Sequence, residues 1–191
     1  APAVVVVVYG NRAYEKALVE LDAFATKSGF KVIAGATFVG EHSYSSEKYP
    51  VAAGRPDADD LAKIAEFGEK VAKKVADMTE IPAKIEVRGD DPVTAYYTPL
   101  GTDGKPAVFL KAKPKTDPEK CTKCGICATV CPMGSIPKDA PDTCTGICIK
   151  CHACIKACPA GAKYFDDEAF LSHVEMLKQN YQRRAEAEWF I

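Results

Sequence analysis

The sequence predicts an α/β domain, then a small cysteine-rich α+β domain and a C-terminal helix. Three observations carry that prediction. Strand-like and helix-like patterns alternate over residues 1–78, all nine cysteines fall between 121 and 158, and helical periodicity returns after Asp166. The 191 residues are long for one small domain and short for two full-sized ones. The expected segments are an α/β part over 1–78, a Pro/Gly-rich connector over 79–115, the cysteine domain over 116–165, and a helix with tail over 166–191.

Ala3 to Tyr9 is a continuous β-branched run, the pattern of a parallel strand buried on both faces. Tyr14, Ala17, Leu18, Leu21, Phe24 and Ala25 then recur at helical spacing, and Gly29 stands where a glycine would end that helix. Lys31 to Val39 reads as a second buried strand. Asp57 is an expected N-cap, with Asp59 and Asp60 favourable at the helix start. Leu61, Ile64, Ala65, Gly68, Val71, Ala72 and Val75 form the expected inner stripe of that helix. The order β-α-β-α implies a parallel sheet. Two strands are few for a doubly wound sheet, and the chain enters its first strand directly from Ala1-Pro2. The rest of such a sheet is therefore expected upstream of Ala1.

Pro82, Gly89, Pro92, Pro99, Gly101, Gly104, Pro106 and Pro114 punctuate the connector, with short strands expected at Lys84–Arg88 and Ala107–Lys111. Phe170, Val174, Leu177 and Tyr181 mark one face of the final helix. The tail from Arg183 is charged and then abruptly apolar at Trp189, Phe190 and Ile191.

Composition removes several functional classes. A net charge of −1 lacks the basic surplus of a nucleic-acid binder. The longest apolar run, Val4 to Tyr9, is strand-sized, against the roughly 18 residues of a membrane span. An odd number of closely spaced cysteines suits metal ligation better than disulfides and points to a reducing, cytoplasmic setting.

The cysteine block holds an internal repeat at an offset of 27 residues. Cys121, Cys124, Cys127 and Cys131-Pro132 are echoed by Cys148, Cys151, Cys154 and Cys158-Pro159, and both runs read C-x2-C-x2-C-x3-C-P. This run is identified, rather than derived, as the ligation pattern of bacterial [4Fe–4S] proteins. Its spacing has a physical reason. Three cysteines at three-residue steps curl around one cubane, while the fourth, one turn into a short helix, faces the neighbouring cluster. Cluster I is expected on Cys121, Cys124, Cys127 and Cys158, and cluster II on Cys148, Cys151, Cys154 and Cys131. Zinc is the alternative for any C-x2-C pair, although tetrahedral zinc has no use for a duplicated four-cysteine run. Cys144 is left over and reads as an ordinary loop thiol, with a reserve ligand or redox-sensitive thiol as the rival reading. Lys123, Lys150 and Lys156 lie among the ligands, as solvated side chains or as partial neutralisation of the clusters.

The cysteine block resembles bacterial two-[4Fe–4S] ferredoxins. Val4–Tyr9 followed by Gly10-Asn11-Arg12-Ala13-Tyr14, with Val39-Gly40-Glu41-His42-Ser43-Tyr44-Ser45, resembles the last part of a flavodoxin. In this order the two parts resemble flavodoxin–ferredoxin fusion proteins of anaerobes. That resemblance implies a low-potential electron carrier, on the order of −400 mV, with redox partner proteins. It also makes Gly10, Asn11 and Tyr14 the candidate FMN contacts, Tyr14 against the isoalloxazine. No Ser/Thr-Gly loop follows either strand to cradle the FMN phosphate at a helix N-terminus. FMN is therefore expected only with the upstream segment. A reductase acting on a quinone or other small acceptor is the second functional reading, and clusters that only hold the fold are the third.

Overall fold

The computed structural model describes residues 1–89 and 95–191. Pro92 of the connector lies outside the described residues. The chain divides into two compact units, one formed by Ala1–Tyr96 with Tyr181–Ile191 and the other by Tyr97–Asn180. Both belong to a mixed α/β architecture with small sheets.

In the first unit, strands β1 (Pro2–Tyr9) and β2 (Lys31–Val39) pair in parallel, joined by helix α1 (Ala17–Lys27). The β-branched run of β1 favours extended backbone. Gly29, at φ +86°, supplies the left-handed residue after α1 that other side chains resist. Val5 stands opposite Gly35, out of phase with Ala34 and Ala36, so the pair of strands has two distinct faces. Leu18 of α1 buries against Val5 and Val32 on one face. Helix α2 (Ala58–Asp77) lays Phe67 on Ala34, Ala36 and Phe38 on the other.

The structure corrects two expectations here. Only β2 is buried on both faces; Val4, Val6 and Val8 of β1 are exposed, because β1 is the edge strand and α2 packs on β2. The inner stripe of α2 is also narrower than expected. Ile64, Phe67 and Val71 face the core, while Leu61 and Val75 stay exposed.

The tail returns as a strand, β5 (Glu188–Phe190), antiparallel to β2 with Trp189 opposite Ala36. Its alternation serves both faces, since Trp189 joins Phe67 and Phe190 joins the Leu18 cluster. The strands expected at Lys84–Arg88 and Ala107–Lys111 do not form. Ile85 N–H donates to Val32 O at 3.2 Å without extending into a ladder, and Leu100 with Pro106 makes an isolated bridge. Prolines remove donors that continued pairing would need.

Asp57 caps α2 in a reciprocal capping box with Asp60, each side chain accepting the other's N–H at 3.0 Å. Asp60 also forms a buried two-bond pair with Arg55, and Arg184 from the tail reaches Asp57 at 2.6 Å. Hydrogen bonding from Arg55 holds the Asp60 carboxyl below the usual carboxylate range, and Arg184 does the same to Asp57. Both groups are depressed in the folded state, so their contribution is present above the unfolded carboxylate pKa and is lost as pH falls through the folded values. Replacing Asp60 by Ala strands Arg55 in the interior and should destabilise this unit by about 3–5 kcal/mol in urea unfolding. The variant should also show a shallower loss of stability below about pH 4 than the parent chain. A change under 1 kcal/mol would show that the pair is replaceable.

The second unit is built from short pieces. Strands β3 (Lys115–Thr116) and β4 (Lys163–Tyr164) pair antiparallel, and helices α3 (Ile126–Thr129) and α4 (Ala153–Lys156) span four residues each. Helix α5 (Glu168–Asn180) buries Phe170, Val174 and Leu177, the face its periodicity predicts. Asp167 caps it by accepting the Phe170 N–H at 2.8 Å. Tyr181, expected on the same face, belongs to the first unit. Among the described residues no helix is long and apolar enough to cross a membrane.

Candidate metal centre

The two cysteine runs fold alike because the backbone takes the same turns in each. Lys123 and Lys150 both have φ +56°, and Gly125 (φ +76°) and His152 (φ +60°) open α3 and α4 from the left-handed region. Gly134 and Gly161 follow the fourth cysteine of each run at φ +58° and +59°. That last turn aims an amide at a sulfur in both copies. Ser135 N–H donates to Cys131 Sγ at 3.4 Å, and Ala162 N–H donates to Cys158 Sγ at 3.3 Å.

Two cavities result. One is lined by Cys121, Cys124, Cys127 and Cys158. The other is lined by Cys131, Cys148, Cys151 and Cys154. Each cavity thus holds three cysteines of one run and the fourth of the other. Cys127 and Cys154, from different cavities, pack in one buried apolar cluster with Ala128 and Ile136. Cys124 is exposed.

Electrostatics differ among the thiols. Burial and the neighbouring cysteines push Cys154 up to about 11, with Lys163 opposing. At Cys158 burial acts upward, but the amides of residues 160–163 outweigh it and hold the thiol below its ordinary value. Ligation to iron requires the thiolate, and a bound cation deprotonates a coordinating thiol outright.

The donor set fits iron–sulfur clusters. Four thiolates around a single zinc would stand at about 2.3 Å from one point. Among the described residues no group of three cysteine, histidine or carboxylate side chains converges in that manner. The thiols are instead distributed in two sets around two cavities, and backbone amides point at the sulfurs of Cys131, Cys148 and Cys158.

The surrounding residues divide as follows. Cys144 lines the cavity of Cys131 and Cys148, and burial raises its pKa. Lys123 and Lys156 are exposed, whereas Lys150 is buried and donates to Leu110 O at 2.8 Å and Cys148 O at 3.1 Å. Lys163, buried on β4 beside Cys158, was not legible from the ligand spacing. The repeat offset marks it only when the runs are aligned beyond their cysteines.

The flavin candidates meet different surroundings. Asn11 is buried, and its amide donates to Tyr181 O at 2.8 Å and Arg183 O at 2.7 Å while its oxygen accepts from Ala185 N at 3.0 Å. His42 covers Gly10, where an added Cβ would lie 2.4 Å from the imidazole. Tyr14 sits edge-on to Tyr9 at 5.5 Å; burial and Glu188, which accepts a hydrogen bond from its hydroxyl, raise its pKa. The polar atoms of Asn11 are engaged by the chain's own tail.

Residues 114–136 and residues 141–161 each match a family described as a 4Fe-4S binding domain. The chain therefore carries two ferredoxin-type domains within 114–161. No curated protein matches the chain as a relative.

Proposed function

We propose that this protein is a low-potential electron carrier with two [4Fe–4S] clusters, held by Cys121, Cys124, Cys127 and Cys158 and by Cys148, Cys151, Cys154 and Cys131. When bound, each cluster takes up and releases one electron. The observation that carries the reading is the packing of Cys127 against the same apolar cluster as Cys154, which makes the two cavities neighbours. Exposed Cys124 brings one of them to the surface. A fold that used clusters only as staples would need neither adjacency nor an exposed edge.

The residues supply ligation, amide donors to sulfur and an apolar wall around Cys127 and Cys154. Redox proteins are the partners that ferredoxin-type domains imply. The parallel β1–β2 pair supports reading the first unit as flavodoxin-like, and the engagement of Asn11 and the coverage of Gly10 argue against tight FMN binding by these loops alone.

Anaerobically reconstituted protein should hold about eight iron and eight sulfide per chain, bleach with dithionite and pass electrons to a low-potential acceptor. The same preparation titrated with FMN should quench flavin fluorescence no more tightly than the micromolar range. Stoichiometric zinc without iron would overturn the cluster reading, and tight FMN binding would overturn the flavin part alone.

A further inference from the structure

The 27-residue repeat lets one half of the cysteine domain serve as the control for the other. Lys123 answers to Lys150, Gly134 to Gly161, and the Ser135–Cys131 bond to the Ala162–Cys158 bond, with matched geometry in each case. At the next buried position the two halves differ in chemistry. The residue after Ser135 is Ile136, and the residue after Ala162 is Lys163. Both are 4% exposed. Ile136 lines the cavity of Cys131, and Lys163 lines the cavity of Cys158. A lysine thus occupies a core position that its own counterpart gives to a hydrocarbon side chain.

Lys163 Nζ has no hydrogen-bond partner among the described residues. An ammonium buried in this way is unfavourable unless negative charge lies close by. Lys163 borders one thiolate set through the cavity it lines with Cys121, Cys124, Cys127 and Cys158. Each set, loaded with its iron and sulfide, carries a net charge of about −2, which adding an electron makes more negative.

We propose that Lys163 is a potential-setting residue, a buried positive charge beside the set of Cys121, Cys124, Cys127 and Cys158 that favours the reduced state of that set and makes the two sets unequal. This rests on the iron–sulfur reading above. The step involved is transfer of one electron per cluster from a low-potential reductant, with no proton transferred and no bond formed or broken. A fixed cation beside that set stabilises the added charge in a medium of low dielectric, where screening is weak.

The test uses the full chain, reconstituted anaerobically, with Lys163→Ile to install the residue of the other repeat and Lys163→Met as a second apolar variant. Both should retain about eight iron, since Lys163 is not a ligand. Potentiometric titration with dithionite, followed by electron paramagnetic resonance, should show reduction of at least one cluster made tenfold or more less favourable. For one electron that is a shift of about 59 mV to lower potential. The separation between the two midpoints should narrow. Full iron content with unshifted midpoints in both variants would overturn the proposal. Failure of both to take up iron would overturn it too, because a residue that only tunes must be dispensable for assembly. A parent chain that binds no cluster would instead sink the proposed function.

Discussion

Replacing Cys131 by Ala is expected to halve the iron content, from about eight to about four per chain, with the loss confined to the set containing Cys148, Cys151 and Cys154. Cys131 stands in the first run but lines the cavity of the second. Pairwise combinations make the assignment measurable without labelling either cluster. Cys131→Ala combined with Cys154→Ala should lose no more iron than either alone, because both cysteines line one cavity. Cys131→Ala combined with Cys124→Ala should abolish iron binding, because the two line different cavities. Non-additivity within a shared site and additivity between separate sites is the expected signature. The reverse pattern would mean that each run ligates its own cluster. Cys144→Ser should leave iron unchanged in the parent chain. Iron retained by Cys131→Ala, and lost only when Cys144 is also removed, would make Cys144 a reserve ligand, as its place in that cavity permits.

What the sequence reveals about this molecule follows the range of the interactions involved. The proposed ligands are legible because cluster chemistry imposes spacings of three and four residues, and those spacings survive in any fold that binds the group. The start of α2 is legible for the same reason, since Asp57 and Asp60 complete a capping box within one turn. Strand β5 is not. Three residues carry no period, and Glu188–Phe190 becomes a strand only through Gly35–Thr37 on the far side of the sequence. The surroundings of the flavin candidates are hidden from the sequence for a related reason. A Gly-Asn loop after a parallel strand suggests a ligand edge, and nothing local indicates that Asn11 is matched to the backbone of residues 181–185. The β-branched run of β1 predicts a strand but not its surroundings, because burial on the second face depends on a neighbour that α2 does not supply. Lys163 is an intermediate case. Its charge is plain in the sequence, but its burial emerges only when the repeat sets it against Ile136.

Stripping iron from the intact protein should unfold the second unit while leaving the first folded. In the stretch 115–164 the regular structure consists of two strands of two residues and two helices of four. Helices of that length do not persist on their own. The buried apolar cluster beside them is Cys127, Ala128, Ile136 and Cys154, so half of that cluster consists of the proposed ligands themselves. Structural metal ligation of comparable small domains contributes about 10–16 kcal/mol, which is as large as the whole stability of an ordinary domain. Removing it leaves a core too small to hold the loops together. The first unit draws on a different source, the apolar faces around Val32 and Phe38 and the buried Arg55–Asp60 pair, none of which involves a cysteine. Anaerobic chelation of the full chain followed by amide hydrogen exchange separates the two. Protection should vanish across 115–164 and persist in β2 and α2. Helix α5 should loosen with the cysteine domain, because Phe170 packs on Phe165 at 4.6 Å and Phe165 stacks on His152 beside Cys151. Unchanged protection across 115–164 in fully iron-free protein would show that the loops fold without ligation and that the cavities exist before any cluster enters them.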